Sequence, residues 1–114
     1  MNDAHVILGT SDVHAGSTVA LCPPAPIPLD DGGEYHPSIL QLWLWRAWKQ
    51  GIQVAADLRE KETARFTWIN NGDAVEGDHH GTPQVPSNLS LTHGAIFREC
   101  VRPILDLRPD NIIG

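Results

Sequence analysis

Asp73 stands where a short apolar run, Phe66 to Ile69, is cut off by Asn70, Asn71 and Gly72, with Glu76 and Asp78 close behind it. A carboxylate just past the end of a strand is well placed for chemistry, because the strand fixes the backbone while the loop frees the side chain. Three acids this close together repel one another unless a cation neutralises them, and a divalent metal is the simplest such cation. Gly72 and Gly77 bound the loop, and Gly72 lets the chain turn without a Cβ clash. A second constellation lies near the start of the chain, where Asp12 and His14 follow the apolar run His5 to Gly9 in the polar stretch Thr10 to Gly16. In extended backbone, residues two apart point to the same side, so a carboxylate oxygen and an imidazole nitrogen can reach one ion together. The imidazole favours Mn, Fe or Zn over Mg or Ca. If the two strands are neighbours in a parallel sheet, their loops meet and Asp12, His14 and Asp73 form one candidate metal site.

The elements that must position these residues follow from periodicity. Parallel strands need a crossover of a dozen or more residues, and Pro37 to Lys61 supplies a helical one. Ile39, Leu40, Trp43, Ala47, Ile52, Ala55, Ala56 and Leu58 recur at helical spacing, Pro37 suits the first turn, and Arg59 to Glu62 form a solvated end. Gly51 weakens the middle and predicts a kink or break there. A second helix is expected from Ser90 to Leu107, with Pro103 disturbing its last turn. Asn111 to Gly114 reads as the opening of a third strand. The result is an α/β chain of order β-α-β-α-β.

Between the first strand and its helix lies a proline-rich insertion, residues 22–33. Pro23, Pro24, Pro26 and Pro28 predict an extended, polyproline-like path that excludes helix and ladder pairing. It reads as an ordered surface loop, and the loop from Asp78 to Pro86 is the better candidate for a substrate-contacting flap.

At 114 residues the chain is at most one domain. A parallel sheet wants both faces covered, so three strands and two helices, with Trp43, Trp45 and Trp48 in the first helix, leave apolar surface that calls for more chain. The net charge of −6 argues against nonspecific binding to nucleic acid or membranes by these residues. Two cysteines, Cys22 and Cys100, make no disulfide framework. No basic, apolar leader opens the sequence and no apolar run approaches the ~18 residues a membrane span needs, so the expected location is cytoplasmic, with no membrane partner.

Taken together, Asp12-Val13-His14 after the first strand and Gly72-Asp73-Ala-Val-Glu-Gly77 after the second resemble the calcineurin-like metallophosphoesterases, in particular the versions found in phage and prophage genomes. The separation of the two motifs, the tryptophan-rich helix between them and the helix after the second are also similar, and the resemblance covers essentially the whole chain. It implies that residues 1–114 are the amino-terminal portion of a single metallophosphoesterase domain, an incomplete sheet sandwich flanked by helices. It implies two divalent metal ions, with Asp12 and His14 on one and Asp73 bridging to the second, and a metal-dependent phosphoester hydrolase of monoesters or diesters, with DNA and nucleotides among the candidate substrates. The family's third motif, Gly-Asn-His-(Asp/Glu), its isolated histidine and its Gly-His-x-His have no counterpart here. The catalytic histidine is therefore expected beyond Gly114, and these residues alone are expected to be inactive.

Plainer readings stand beside these. Asp12 favours turns and His14 could be a surface residue, while Asp73 could cap a turn. His79 and His80 read as paired surface histidines, and His5, His36 and His93 as packing or solvated ones. The tryptophans read as helix packing, since only Arg46 and Lys49 lie near enough to support a base-stacking surface. The alternative function is a non-catalytic phosphate- or nucleotide-binding module, or a truncated remnant. The module lacks its usual glycine-rich cradle, because neither Gly-x-Gly-x-x-Gly nor a Lys-(Ser/Thr) loop occurs.

Overall fold

The computed structural model describes residues 3–28, 32–72 and 90–114. Among them the elements run β1 (His5–Thr10), β2 (Ile27–Pro28), β3 (Glu34–Tyr35), α1 (Ile39–Glu62), β4 (Arg65–Asn70), α2 (Ser90–Leu105) and β5 (Asn111–Ile113). Strands β1, β4 and β5 form a parallel sheet in that order, with His5 opposite Arg65, Thr10 opposite Asn70 and Thr67 opposite Asn111. The described residues are therefore α/β, with a three-stranded parallel sheet and two helices among them.

Each helix links a strand to its parallel neighbour. Right-handed crossovers that step in one direction across a sheet put their helices on the same face. Ile52 and Ala55 of α1 and Val101 and Ile104 of α2 accordingly close over Phe66 and Trp68 of β4, with Val6 and Leu8 of β1 against them. The side chains pointing the other way meet no layer among the described residues. Ile7 is 60% exposed and Ile113 55% exposed, Ile69 is half-buried, and Thr67 in the middle is buried, where the His5 ring reaches its hydroxyl at 2.7 Å.

Helix α1 starts at Ile39, two residues later than a helix with Pro37 at its first position would. Ser38 is the N-cap and accepts from the Gln41 N–H, while Gln41 Oε1 accepts from the Ser38 N–H, a reciprocal capping box. Gly51 does not break the helix, which runs uninterrupted for 24 residues. Packing on both sides of it, at Trp48 and Ile52, outweighs the roughly 1 kcal/mol that glycine costs inside a helix. The buried stripe is also rotated from the expected one: Ile39, Leu40, Trp43 and Leu58 are exposed, while Leu44, Trp45 and Trp48 turn inward. Trp45 and Trp48 are thus packing residues and Trp43 is not. Helix α2 accommodates Pro103 and ends at Leu105, within its expected last turn.

The insertion departs from expectation as well. Ile27 and Pro28 pair antiparallel with Tyr35 and Glu34, so the proline-rich path does enter a short ladder. Pairing survives because the ladder is two residues long and proline forfeits only its own N–H, which is tolerated at a strand edge.

Candidate metal centre

β1 and β4 end level with each other, and the loops beyond them are stitched together. The Asn71 N–H donates to the Thr10 carbonyl at 2.8 Å, and the Asp12 N–H donates to the Gly72 carbonyl at 3.2 Å. Below these bonds, Thr10 Oγ1 accepts from the Trp68 indole at 2.9 Å and donates to Asn70 Oδ1 at 3.4 Å. The loop carrying Asp12 and His14 is therefore bonded to the residue immediately before Asp73 in the chain. Asp73 itself, with Glu76, Asp78, His79, His80 and the flap candidate up to Pro86, lies outside the described residues.

Asp12 and His14 do come together, but not through extended backbone. Both adopt left-handed conformations, with φ of 55° and 47°, and Gly72 across from them has φ of 100°. The space beside Gly72 is open, so the positive φ rather than a close contact is what favours glycine there. Asp and His enter the left-handed region more readily than most residues, yet two of them in three positions is an uncommon concentration of local strain, and such strain gathers at functional sites.

The geometry suits a cation. His14 Nε2 stands 3.3 Å from Asp12 Oδ1, about the separation that two donors take when each lies ~2.1 Å from one ion. Ser11 Oγ donates to the other oxygen, Asp12 Oδ2, at 3.0 Å, which orients the carboxylate as a supporting hydrogen bond does around a bound metal. Both side chains reach solvent, with Asp12 66% and His14 36% exposed. Among the described residues, no group of three or more metal-capable side chains is assembled.

Nucleophilic chemistry by cysteine has no support. Cys22 and Cys100 are both buried and unbridged, and burial pushes their thiols up to about 11 and about 12. A thiol that holds its proton so firmly is a poor nucleophile and a poor metal ligand.

The residue that holds this loop against the helix escaped the sequence reading. Gln41 is fully buried, and its Nε2 donates to the Ser17 and Ala20 carbonyls at 3.0 and 2.9 Å. Its Oε1 accepts from the Tyr35 hydroxyl at 2.5 Å as well as from the capping N–H. The start of α1 thereby anchors the chain that follows His14. The signal was present in the sequence, because a serine followed three residues later by glutamine is a capping-box pattern.

No family model matches this sequence, and no significant match was found among curated proteins or solved structures. Among the described residues no helix is long and apolar enough to cross a membrane.

Proposed function

We propose that the chain carries the first metal ligands of a metal-dependent phosphoester hydrolase of metallophosphoesterase type, with Asp12, His14 and Asp73 as those ligands. The observation that carries this reading is the Asp12 N–H to Gly72 carbonyl bond, which ties the loop of the first motif to the glycine of the second. Bound divalent cations, Mn, Fe or Zn, would supply Lewis acidity toward a phosphoryl group. Asp12 and His14 would hold one ion through Oδ1 and Nε2. The Ser11 hydroxyl keeps Asp12 oriented, and the two carboxylate oxygens of Asp73 suit it to serve two ions at once. The second ion's remaining ligands and the catalytic histidine belong, on this reading, to residues beyond Gly114. The substrate is a phosphoester, and the whole enzyme acts without a membrane partner in the cytoplasm.

Titration of the chain with Mn²⁺ by calorimetry tests the reading. Stoichiometric binding that is lost in both Asp12→Asn and Asp73→Asn is the expected result. An Asp73→Asn chain with undiminished Mn²⁺ binding removes Asp73 from the role. Binding of phosphate or nucleotide that is indifferent to Mn²⁺ and chelator, with no release of p-nitrophenol from a mono- or bis-ester, replaces the hydrolase with a non-catalytic phosphate-binding module.

A further inference from the structure

Beside Asp12 and His14 opens a cleft of about 650 Å³, bounded on one side by the loop from Ser17 to Leu21 and on the other by Leu44, Ala47 and Trp48 of α1. That volume falls in the range of pockets that take small organic ligands. Among the described residues, the only charged or titratable groups lining it are Asp12 and His14; no lysine or arginine contributes. A cleft that tracks a polynucleotide needs cations to replace the counterions of successive phosphates, and this one has none among the described residues.

Its walls are apolar and held in place from behind. The Trp48 indole donates to the Cys100 carbonyl of α2 at 2.7 Å, which fixes the orientation of the ring. The opposite wall hangs on Gln41, whose amide holds the Ser17 and Ala20 carbonyls. Both walls are therefore set before a ligand arrives, which lowers the ordering cost of binding.

From this placement we infer that the cleft is the subsite for the organic group of a small phosphoester, a flat and uncharged one such as an aryl ring or a nucleobase, packed against Trp48 while the phosphoryl group lies at Asp12 and His14. This rests on the hydrolase reading for the position of the phosphoryl group, and it adds that the substrate is a small ester rather than a nucleic-acid strand. A nucleobase and an aryl ring offer the wall the same chemistry, a flat π surface of limited polarity.

The test is binding, followed by the Trp48 Nε1–H signal in ¹H–¹⁵N spectra and by calorimetry. The probes are phenylphosphonate, adenosine 5′-monophosphate and methylphosphonate with Mn²⁺, and adenosine without metal. Both probes that carry a ring should bind at least about tenfold more tightly than methylphosphonate and should shift the Trp48 signal. Whichever of the two binds more tightly names the preferred ring. Ala47 and Val19 are exposed, so Ala47→Phe and Val19→Trp can obstruct the cleft without disturbing the core. Either should abolish the margin over methylphosphonate while leaving Mn²⁺ affinity unchanged. Equal affinity for phenyl- and methylphosphonate in the unmodified chain overturns the inference, as does a margin that survives in both variants. Adenosine that shifts Trp48 in a chain that binds no Mn²⁺ supports the cleft and overturns the hydrolase reading alone.

Discussion

The two ends of the parallel sheet are built to opposite specifications. At the end where β4 begins, charge is consumed by structure. Arg59 of α1 donates to the Leu107 and Arg108 carbonyls and to Asp110 Oδ2, and its guanidinium lies 5.4 Å from the centre of the Phe66 ring. The same Asp110 oxygen accepts from the Phe66 N–H at 2.8 Å, while the Asp110 N–H returns a bond to the Phe66 carbonyl at 2.8 Å. At the end where β1 and β4 finish, the backbone is strained at Asp12 and His14, and their side chains turn toward solvent and each other. One end thus uses its ionisable groups to close the fold, and the other keeps them accessible. In parallel α/β sheets ligands collect at the carboxyl ends of the strands. The comparison teaches that a carboxylate's partners, more than its presence, separate a structural acid from a candidate ligand.

Removing one acid from each end should give opposite phenotypes. Asp12→Asn keeps the shape and tolerates the left-handed backbone, so the melting transition should move by no more than about 0.5 kcal/mol of stability. Mn²⁺ affinity should fall by more than ~100-fold, since even supporting residues around a metal are worth 10–100-fold. A calorimetric titration beside a denaturant melt reads both, and a variant that loses stability yet binds Mn²⁺ normally would reverse the assignment of the two ends.

Asp110→Ala should do the reverse, costing about 1–3 kcal/mol with Mn²⁺ affinity unchanged. Most of that loss comes from the Phe66 N–H, which would be left without an acceptor in the core. The Arg59 ion pair is partly exposed and adds at most about 1 kcal/mol. Asp110→Asn retains an acceptor and should recover most of the stability. Urea melts of the two variants at low and high salt check the division, because only the ion-pair share is screened.

The end that carries the candidate site was the more legible of the two. Apolar runs cut off by Asn-Asn-Gly and by Thr-Ser-Asp mark strand ends locally, and the crossover rule makes those strands parallel neighbours, as His5 to Thr10 and Arg65 to Asn70 are. The left-handed backbone at Asp12 and His14 was hidden, because neither residue signals it as a glycine at that position would. The Arg59 and Asp110 lattice was hidden for a different reason. Its members lie far apart in the chain, and nothing local in Arg59-Glu60-Lys61 distinguishes the arginine that packs over Phe66 from its solvated neighbours. The face of α1 was misjudged at Ile39, Leu40, Trp43 and Leu58 because apolar residues lie all around the helix, so periodicity alone could not say which stripe the sheet covers.

Gly51 sharpens the contrast from within α1, on the stretch that runs past the end of β1. A Cβ at this position would meet nothing within 4 Å, and the backbone is already helical. Gly51→Ala should therefore raise stability by roughly 0.5–1 kcal/mol, through helix propensity and a less disordered unfolded chain. A denaturant midpoint that falls would mean the glycine serves a close approach by another part of the protein.

Thr63 gives the smallest effect, and its sign has to be argued. It closes α1 at the structural end of the sheet in a Schellman arrangement: its own N–H donates to the Glu60 carbonyl at 3.3 Å, and the Ala64 N–H donates to the Arg59 carbonyl at 2.9 Å. Its φ of 50° is left-handed, where a β-branched residue is disfavoured by about 1–2 kcal/mol and glycine is not. Glycine in turn loses more backbone freedom on folding, worth roughly 0.5–1 kcal/mol. The steric term is the larger, so Thr63→Gly should stabilise the chain by about 0.5 kcal/mol, read as a small rise in the urea midpoint with an unchanged slope. The Arg59 carbonyl that Ala64 bonds belongs to the residue that holds Asp110, so the gain should shrink in an Asp110→Ala background if the cap and the lattice form one cooperative unit. Strict additivity of the two substitutions would instead make them independent parts of that end.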